Sequence, residues 1–271
     1  MGMISIGDAE LSVEITGAGE PLLLVSGLGG QASFWTHQVR PFSDHFQVVT
    51  HDHRGTGGST RSNIAYSVEQ MSEDVVRLMD ALSISSTALV GHSTGGGIAQ
   101  HLAINHPDRL SRIVLSASWP GPSQYFRELF KLRQRVLQES GADAYLLDGL
   151  LRAYPPQVFD ENPTLLTGAS EDRLASFPGE NIEVSRIQAV LAHDLRDQLS
   201  SIDLPTLVIG AKDDQITPAA FFDELAAIIP GAQKVILPFG GHFVPQVRTD
   251  EYNDAVLSFL TSAAQGGLHA R

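Results

Sequence analysis

The sequence predicts an α/β protein, with a mostly parallel β-sheet flanked by helices. Short runs of consecutive apolar residues, such as 22–25 (LLLV), are typical of strands that are buried on both faces of a parallel sheet. Other segments carry apolar residues at every third or fourth position, which is the spacing of the buried face of a helix. Because the two patterns alternate along the chain, a sheet whose parallel strands are connected by helices is favoured.

The predicted strands and helices follow in order from the N-terminus. Residues 11–16 alternate apolar and polar side chains, which predicts a half-exposed strand. Apolar runs then predict strands at 22–25, 46–50, 88–90, 112–116, 205–210 and 234–237. A helix is predicted to begin after Ser67, where the sequence matches a capping box. Thr217 is expected to cap a helix that has Pro218 as its first residue, and a last helix is predicted over about 250–260.

The middle of the chain differs from both ends. From 123 to 199 the pattern is helical, and no apolar run there is typical of a buried strand. This segment predicts a helical cap that lies over the sheet and is inserted between the sixth and seventh strands. The expected boundaries are a first part of the core at 1–119, the cap at 120–200 and the rest of the core at 201–271. Trp119, at the start of the cap, is expected to line a small-molecule pocket.

The composition limits what the chain is expected to bind. Asp and Glu number 31 against 18 Lys and Arg, which gives a formal net charge of −13 at pH 7. Such a surface repels nucleic-acid phosphates and anionic membranes, so we expect neither as a partner. The 271 residues include no cysteine, which excludes disulfide bonds and thiolate catalysis. Because there is neither a signal-peptide pattern nor an apolar run of ~18 residues, a cytoplasmic protein is expected.

The sequence G-H-S-T-G at 91–95 has the G-x-S-x-G pattern of a nucleophile elbow. In this turn a serine sits between a strand and a helix, with its hydroxyl pushed into a cleft. The backbone of the serine is strained, and a side chain at Gly91 or Gly95 would clash with the neighbouring strand or helix. Ser93 is therefore the candidate nucleophile. Glycine and serine are common in turns, so the pattern needs support from the rest of the chain.

Three further groups follow predicted strands and are expected at the same edge of the sheet as Ser93. Asp213 and Asp214 come after one predicted strand, and His242 comes after the last one. A serine hydroxyl needs a base to accept its proton, and histidine titrates in the suitable range. A carboxylate then fixes the histidine tautomer. Asp214 is the preferred carboxylate because of its spacing from the two flanking prolines, and Asp213 is the alternative.

The expected oxyanion donors are two backbone amides. One belongs to Thr94, directly after the candidate nucleophile, and the other to Leu28, in the glycine-rich loop at 26–30. The histidines form no metal-binding motif, and the glycine-rich stretches match neither a dinucleotide fingerprint nor a P-loop. We therefore expect no metal and no organic cofactor. A small-molecule substrate is the expected partner, and the oligomeric state stays open.

These motifs resemble those of the α/β-hydrolases over nearly the whole chain, and the order serine, acid, histidine is that of this fold. A closer resemblance is to the Rut-type aminoacrylate hydrolases of pyrimidine catabolism. It rests on S-G-L-G-G at 26–30, Y-S-V-E-Q-M at 66–71, G-H-S-T-G-G at 91–96 and P-F-G-G-H at 238–242. The resemblance implies hydrolysis of an enamine or carbon–nitrogen bond with release of ammonia. It is weakest at about 156–177, within the cap that decides the substrate.

The sequence thus predicts a serine hydrolase with a Ser-Asp-His triad. Its substrate would be a small ester, lactone, amide or enamine-type compound that forms an acyl-enzyme. Some Rut-type relatives lack the serine that Ser93 provides here, so the resemblance does not single out aminoacrylate as the substrate. Two alternatives stay open. One is a carbon–carbon bond hydrolase acting on a ring-cleavage product, or an enol-lactonase. The other is a small-molecule receptor that has the same fold and does not turn its ligand over.

Overall fold

The computed structural model describes residues 2–166 and 174–262, and its centre is an eight-stranded sheet. The order across the sheet is β1-β2-β4-β3-β5-β6-β7-β8. Strand β2 pairs in the antiparallel sense with both β1 and β4, and the other neighbouring strands pair in parallel. The strands are β1 (Gly2–Ser5), β2 (Glu10–Thr16), β3 (Pro21–Val25), β4 (Gln47–His51), β5 (Thr87–His92), β6 (Leu110–Ser116), β7 (Thr206–Ala211) and β8 (Gln233–Leu237).

Helices cover both faces of this sheet. Leu22 and Leu24 point to one face, where they share a core with α1 and α9, whereas Leu23 and Val25 share a core with α2 and α3 on the other. This alternation is the period-2 pattern of a strand buried on both sides. The helices are α1 (Thr36–Ser43), α2 (Val68–Ala81), α3 (Thr94–Asn105), α4 (Gln124–Ala153), α5 (Pro156–Glu161), α6 (Glu180–Ala192), α7 (Ala219–Ile228), α8 (Val244–Val247) and α9 (Thr249–Thr261).

The predicted fold class is confirmed, because every predicted strand is present and the sheet is mostly parallel. The sequence analysis missed β1, which has four residues and no buried side chain. An edge strand of this kind carries no apolar run, so the pattern that identified the other strands does not apply to it. The helix predicted after Ser67 is also confirmed, since the Ser67 hydroxyl accepts the Gln70 N–H at 2.9 Å.

The prediction for Thr217 is wrong. The helix α7 begins at Ala219, and Pro218 occupies the position before it. The Thr217 hydroxyl donates instead to Asp214 Oδ2 at 2.7 Å. As an N-cap the hydroxyl would accept an N–H of the first helical turn, whereas here it donates to the buried carboxylate of Asp214.

Between β6 and β7, the residues that the structure describes form helices and no strand. The longest of them, α4, bends at Gly141, whose φ of 83° lies in the left-handed region that glycine adopts without a steric penalty. The arm of α4 after this bend lies against α6, where the Tyr145 hydroxyl donates to Glu183 Oε1 at 2.5 Å. No helix among the described residues is long and apolar enough to cross a membrane.

Candidate active site

Ser93 occupies the sharp turn between β5 and α3. Its backbone has φ 53° and ψ −115°, a region that non-glycine residues rarely adopt and that the surrounding structure must enforce. A Cβ at Gly91 would lie 2.2 Å from the carbonyl oxygen of Gly95, and a Cβ at Gly95 would lie 2.1 Å from that of Val25. The turn at 91–95 therefore has the geometry that the G-x-S-x-G pattern implies.

Hydrogen bonds with β6 and with the residues that follow it hold this turn. The Ser93 N–H donates to the carbonyl of Ser116 at 2.8 Å, and the Ser118 hydroxyl donates to the carbonyl of Ser93 at 3.0 Å. Both partners are fully buried. The serine is thus fixed at the carboxyl edge of the sheet, where ligands bind in open α/β folds.

His242 and Asp214 form a buried pair. His242 Nδ1 lies 2.8 Å from Asp214 Oδ2, and each residue is 4% exposed. Thr217 donates its hydroxyl to the same oxygen, while the backbone amides of Ile216 and Thr217 donate to Asp214 Oδ1 at 2.8 Å each. Because an ionised carboxylate only accepts hydrogen bonds, the pairing places the histidine proton on Nδ1 and leaves Nε2 able to accept one.

Asp213, the alternative carboxylate, has a different partner. Its Oδ1 accepts the backbone N–H of Gly241 at 2.9 Å. It therefore holds the loop that carries His242, whereas Asp214 contacts the imidazole itself.

Ser93 and His242 both line a cavity of about 310 Å³ beneath the cap. Leu28 belongs to the same lining, and Thr94 is buried directly beside it as the first residue of α3. Nowhere in 2–166 or 174–262 do three His, Asp or Glu side chains come together in a way that could hold a metal ion. The structure thus brings together Ser93, His242 and the two residues whose amides are the expected oxyanion donors.

The loop that contains Leu28 passes directly over the nucleophile, because a Cβ at Gly27 would lie 3.1 Å from Ser93 Cβ. The carbonyl of Gly27 accepts the N–H of Gly30 at 2.9 Å. In a trans peptide the N–H points opposite to the carbonyl, so the Leu28 N–H points away from this turn. The Thr94 N–H is one of the first amides of α3, which have no partner within the helix. Both amides are thus available to an oxyanion.

The cap wall of the cavity carries polar side chains that the sequence analysis did not single out. Arg133 lies over the rings of Tyr145 and Phe130, with its guanidinium carbon 4.7 Å and 5.4 Å from the two ring centres. Its Nε lies 3.6 Å from Asp148 Oδ2 and has no hydrogen-bond partner among the described residues. Arg133 is 8% exposed and lines the cavity, so its guanidinium group lies at the cap wall while its Nε is buried toward Asp148.

Glu183 also faces the cavity from α6. Burial raises the pKa of its carboxyl above the ordinary value, and the charge of Arg186 and the hydrogen bond from Tyr145 oppose that rise. Burial also raises the pKa of the Tyr145 hydroxyl well above its ordinary value, so the phenol stays protonated and donates. These two residues are 38 positions apart in the sequence and belong to different helices, so no local sequence pattern could have linked them.

The expectation that Trp119 lines the pocket needs correction, because Trp119 is not among the residues that line this cavity. It is 1% exposed, and its ring lies 5.0 Å from that of Phe126 and 5.2 Å from that of His193. The ring fills the space between the first turn of α4 and the end of α6, so it packs the two ends of the cap together.

His92, the variable residue of the elbow, lines the cavity and was not singled out from the sequence either. Its ring stacks on Phe34 with centres 4.5 Å apart, and it lies 4.9 Å from the ring of His242. Burial, helped by the nearby His242, lowers the pKa of His92 well below its ordinary value. The ring is therefore neutral at physiological pH and packs against the imidazole of His242.

The family model described as alpha/beta hydrolase fold matches residues 20–247. The chain is 36% identical over 253 residues to "Putative carbamate hydrolase RutD" of Azorhizobium caulinodans, covering 93% of this chain and 96% of that protein. This relative confirms the resemblance to the Rut-type proteins.

Solved structures agree with the family and the fold. The enol-lactonase of Burkholderia xenovorans superimposes with a TM-score of 0.88 and 30% identity, covering 96% of this chain and 100% of that one. A thermophilic esterase from Thermogutta terrifontis has a TM-score of 0.82 and 26% identity, covering 93% of each chain. The chain therefore belongs to the α/β-hydrolase fold family, and it is a hydrolase of that family.

Proposed function

We propose that the protein is a serine hydrolase in which Ser93 attacks a carbonyl carbon and forms an acyl-enzyme. One observation carries the proposal: His242, paired with Asp214 at 2.8 Å, lines the same cavity as Ser93. A serine hydroxyl is a weak nucleophile at neutral pH, and an oriented imidazole beside it supplies the base that it lacks. The strained backbone at Ser93 supports the same role, since such strain concentrates at functional sites.

In the proposed cycle, Ser93 Oγ gives its proton to His242 Nε2 as it attacks the carbonyl carbon. The amides of Leu28 and Thr94 stabilise the negative charge on the substrate oxygen, and one such donor is worth about 3–4 kcal/mol. His242 returns the proton to the leaving group. It then takes a proton from a water that attacks the acyl carbon, and passes this proton to Ser93 Oγ as the acid leaves. Asp214 stays ionised throughout and orients the imidazole. The cycle uses no metal and no organic cofactor.

The cavity favours a small substrate. Its volume of about 310 Å³ lies at the low end of the roughly 300–1,000 Å³ that is usual for ligand pockets. Arg133 is the one Arg or Lys among the described residues that line it. We infer a substrate that presents the carbonyl of an ester, lactone, amide or carbamate to Ser93 and a polar or anionic group to the cap.

A lactone is supported as a second form of the same activity. The enol-lactonase of Burkholderia xenovorans is 30% identical to this chain and matches it over nearly the full length. When a lactone opens on Ser93, the leaving alkoxide stays attached to the acyl group, so hydrolysis gives a single product. An amide or carbamate substrate would instead release ammonia or an amine. Product analysis therefore separates the two forms.

The test is Ser93→Ala, assayed with short p-nitrophenyl esters, small lactones and carbamates. We expect kcat to fall by about 10⁴-fold or more, because the nucleophile of a triad has no substitute. The control is Ser72→Ala, which removes the hydroxyl of a buried serine in α2 that is not part of the cavity lining, and it should behave as the wild type. Unchanged activity in Ser93→Ala would contradict the proposal. A stoichiometric burst without turnover in the wild type would favour a receptor.

A further inference from the structure

Arg186 joins the cap to the loop that lies over Ser93. It is on α6 and is fully buried. Its Nη2 and Nε donate to the carbonyl of Leu28 at 2.8 Å and 3.3 Å, and its Nη1 donates to the carbonyl of Arg54 at 3.1 Å. One side chain of the cap thus holds two loops of the core.

The peptide groups on either side of Leu28 are held by different partners. The one before it is fixed by the turn between Gly27 and Gly30, which aims the Leu28 N–H away from the turn. The one after it carries the Leu28 carbonyl, and this carbonyl accepts from Arg186. The backbone of Leu28 is therefore restrained from both sides, and the cap supplies one of the two restraints.

The Leu28 loop and the second loop also contact each other directly. The carbonyl of Gly30, in the Leu28 loop, accepts the N–H of His53 at 2.7 Å and the hydroxyl of Thr56 at 2.9 Å. The Arg54 guanidinium binds Asp74 through two hydrogen bonds of 2.7 Å and 2.8 Å. The second loop is thus anchored through Arg54, and Arg186 adds a bond from the cap to the carbonyl of Leu28, which these direct contacts do not reach.

The contact needs an arginine. The planar guanidinium presents donors along two edges, and here they reach two carbonyls on different loops. A lysine ammonium is a point charge and would reach one of them well. The buried charge is balanced by the carboxyl of Glu183 and by the ring of Tyr66, whose centre lies 5.7 Å from the guanidinium carbon.

We propose that Arg186 is a positioning residue for the hydrolysis at Ser93. By holding the Leu28 carbonyl it keeps the Leu28 amide aimed at the substrate oxyanion, so the oxyanion hole is complete only when the cap is seated on the core. The inference rests on the proposed serine-hydrolase function.

The test compares Arg186→Met with a matched control, Arg196→Met. Arg196 also joins the chain after α6 to the rest of the protein, through the carbonyl of Gly121 and the carboxylate of Glu224 at 2.6 Å each, and it contacts neither catalytic loop. For a p-nitrophenyl ester we expect Arg186→Met to lower kcat by about 10²-fold, as a misplaced oxyanion donor does. KM should stay within about threefold, because the donor acts mainly in the transition state. Arg196→Met should keep both constants.

A second measurement reads the oxyanion hole directly. Ser93 adds to the carbonyl of a trifluoromethyl ketone, and the resulting oxyanion occupies the hole. The Ki of this inhibitor should therefore rise in Arg186→Met by the same factor by which kcat/KM falls. The corresponding alcohol, which forms no oxyanion, should bind equally well to both proteins. The kcat and Ki of Arg186→Lys should lie between those of the wild type and those of Arg186→Met, because the ammonium reaches one carbonyl.

Three outcomes decide the matter. Equal kcat and equal Ki in Arg186→Met and Arg196→Met would overturn the positioning role while leaving the proposed function intact. If Arg186→Met fails to fold, Arg186→Lys is measured in its place, and misfolding of both variants would overturn the inference in favour of a purely structural role. Absence of turnover by the wild-type protein would overturn the proposed function, and the inference with it.

Discussion

The two walls of the cavity are built on different principles. On the core wall, Asp214 has both carboxylate oxygens occupied, by His242, by the Thr217 hydroxyl and by two backbone amides. On the cap wall, Arg133 Nε has no hydrogen-bond partner among the described residues, and the carboxylate that it faces is 3.6 Å away. The groups proposed to make and break bonds are thus fixed in advance, whereas the cap wall presents a guanidinium group whose hydrogen bonds within the protein are incomplete.

The difference between the two walls follows from the elements that carry their side chains. The core groups stand just after strand ends, so the sheet places them and short loops hold them. The cap groups belong to helices that meet only in the tertiary structure, such as Tyr145 and Glu183. Fixed dipoles lower a reaction barrier because they need no rearrangement during the reaction. A wall that binds the substrate gains specificity from groups that complete their hydrogen bonds with it.

Asp214→Asn should have the largest effect on the core wall. An amide in place of the carboxylate favours the wrong histidine tautomer, and kcat is expected to fall by about 10⁴-fold while the fold is kept. The matched control is Asp213→Asn, since Asp213 holds the amide of Gly241 and does not touch the imidazole. Steady-state kinetics of both variants check the prediction. An equal loss in the two variants would contradict the assignment of Asp214.

Arg133→Met should have the next largest effect, and only on substrates with a charge. We expect the wild type to prefer the p-nitrophenyl monoester of glutaric acid over the neutral p-nitrophenyl valerate. Hydrogen bonds to charged groups contribute about 1.5–3 kcal/mol, so the variant should lose this preference by roughly tenfold or more in kcat/KM.

The control for that experiment is Arg152→Met. Arg152 is also in the cap and binds Asp148 at 2.8 Å, but it does not line the cavity. Arg152→Met should leave the ratio of kcat/KM for the two esters unchanged. A similar loss for both esters in Arg133→Met would show that Arg133 shapes the cap without selecting anionic substrates.

Glu183→Gln should give the smallest effect, on stability as a function of pH. Burial raises the pKa of Glu183 above its ordinary 4.5, so the folded protein keeps a proton that the unfolded chain releases above that pH. The stabilisation is complete below the unfolded pKa and is lost as the pH rises through the folded pKa. Gln cannot titrate, yet its carbonyl still accepts from Tyr145.

The free energy of unfolding of the wild type minus that of Glu183→Gln should therefore decrease as the pH rises from about 4.5 toward neutral. Urea titrations across this window measure the difference, and subtracting the variant removes the contribution of every other group. A difference that grows with pH would mean that the pKa of Glu183 is lowered in the folded protein.

The core wall could be predicted from the sequence. Ser93, Asp214 and His242 each follow an apolar run, and the carboxyl ends of parallel strands share one edge of the sheet. The spacing that favoured Asp214 over Asp213 agrees with the contact to the imidazole. Thr217 shows the limit, because its hydroxyl could accept an N–H of a helix or donate to Asp214, and only the folded structure decides which role it has.

The cap wall could not be predicted in the same way. Trp119 was expected in the pocket, but the direction of its ring depends on how the two ends of the cap pack. Arg133 and Arg186 are ordinary helical arginines in the sequence. Their roles come from what each guanidinium meets in three dimensions: an open cavity in one case and the carbonyl of Leu28 in the other.

The central claim is that Ser93, activated by His242, carries the acyl group between the two half-reactions. The most direct measurement is the intact mass of the protein after acid quenching within milliseconds of mixing with a p-nitrophenyl ester. A mass gain of one acyl group, located on the peptide that contains Ser93 and absent from Ser93→Ala, is the predicted result. Turnover of the ester with no adduct, or with the adduct on another residue, would contradict the claim.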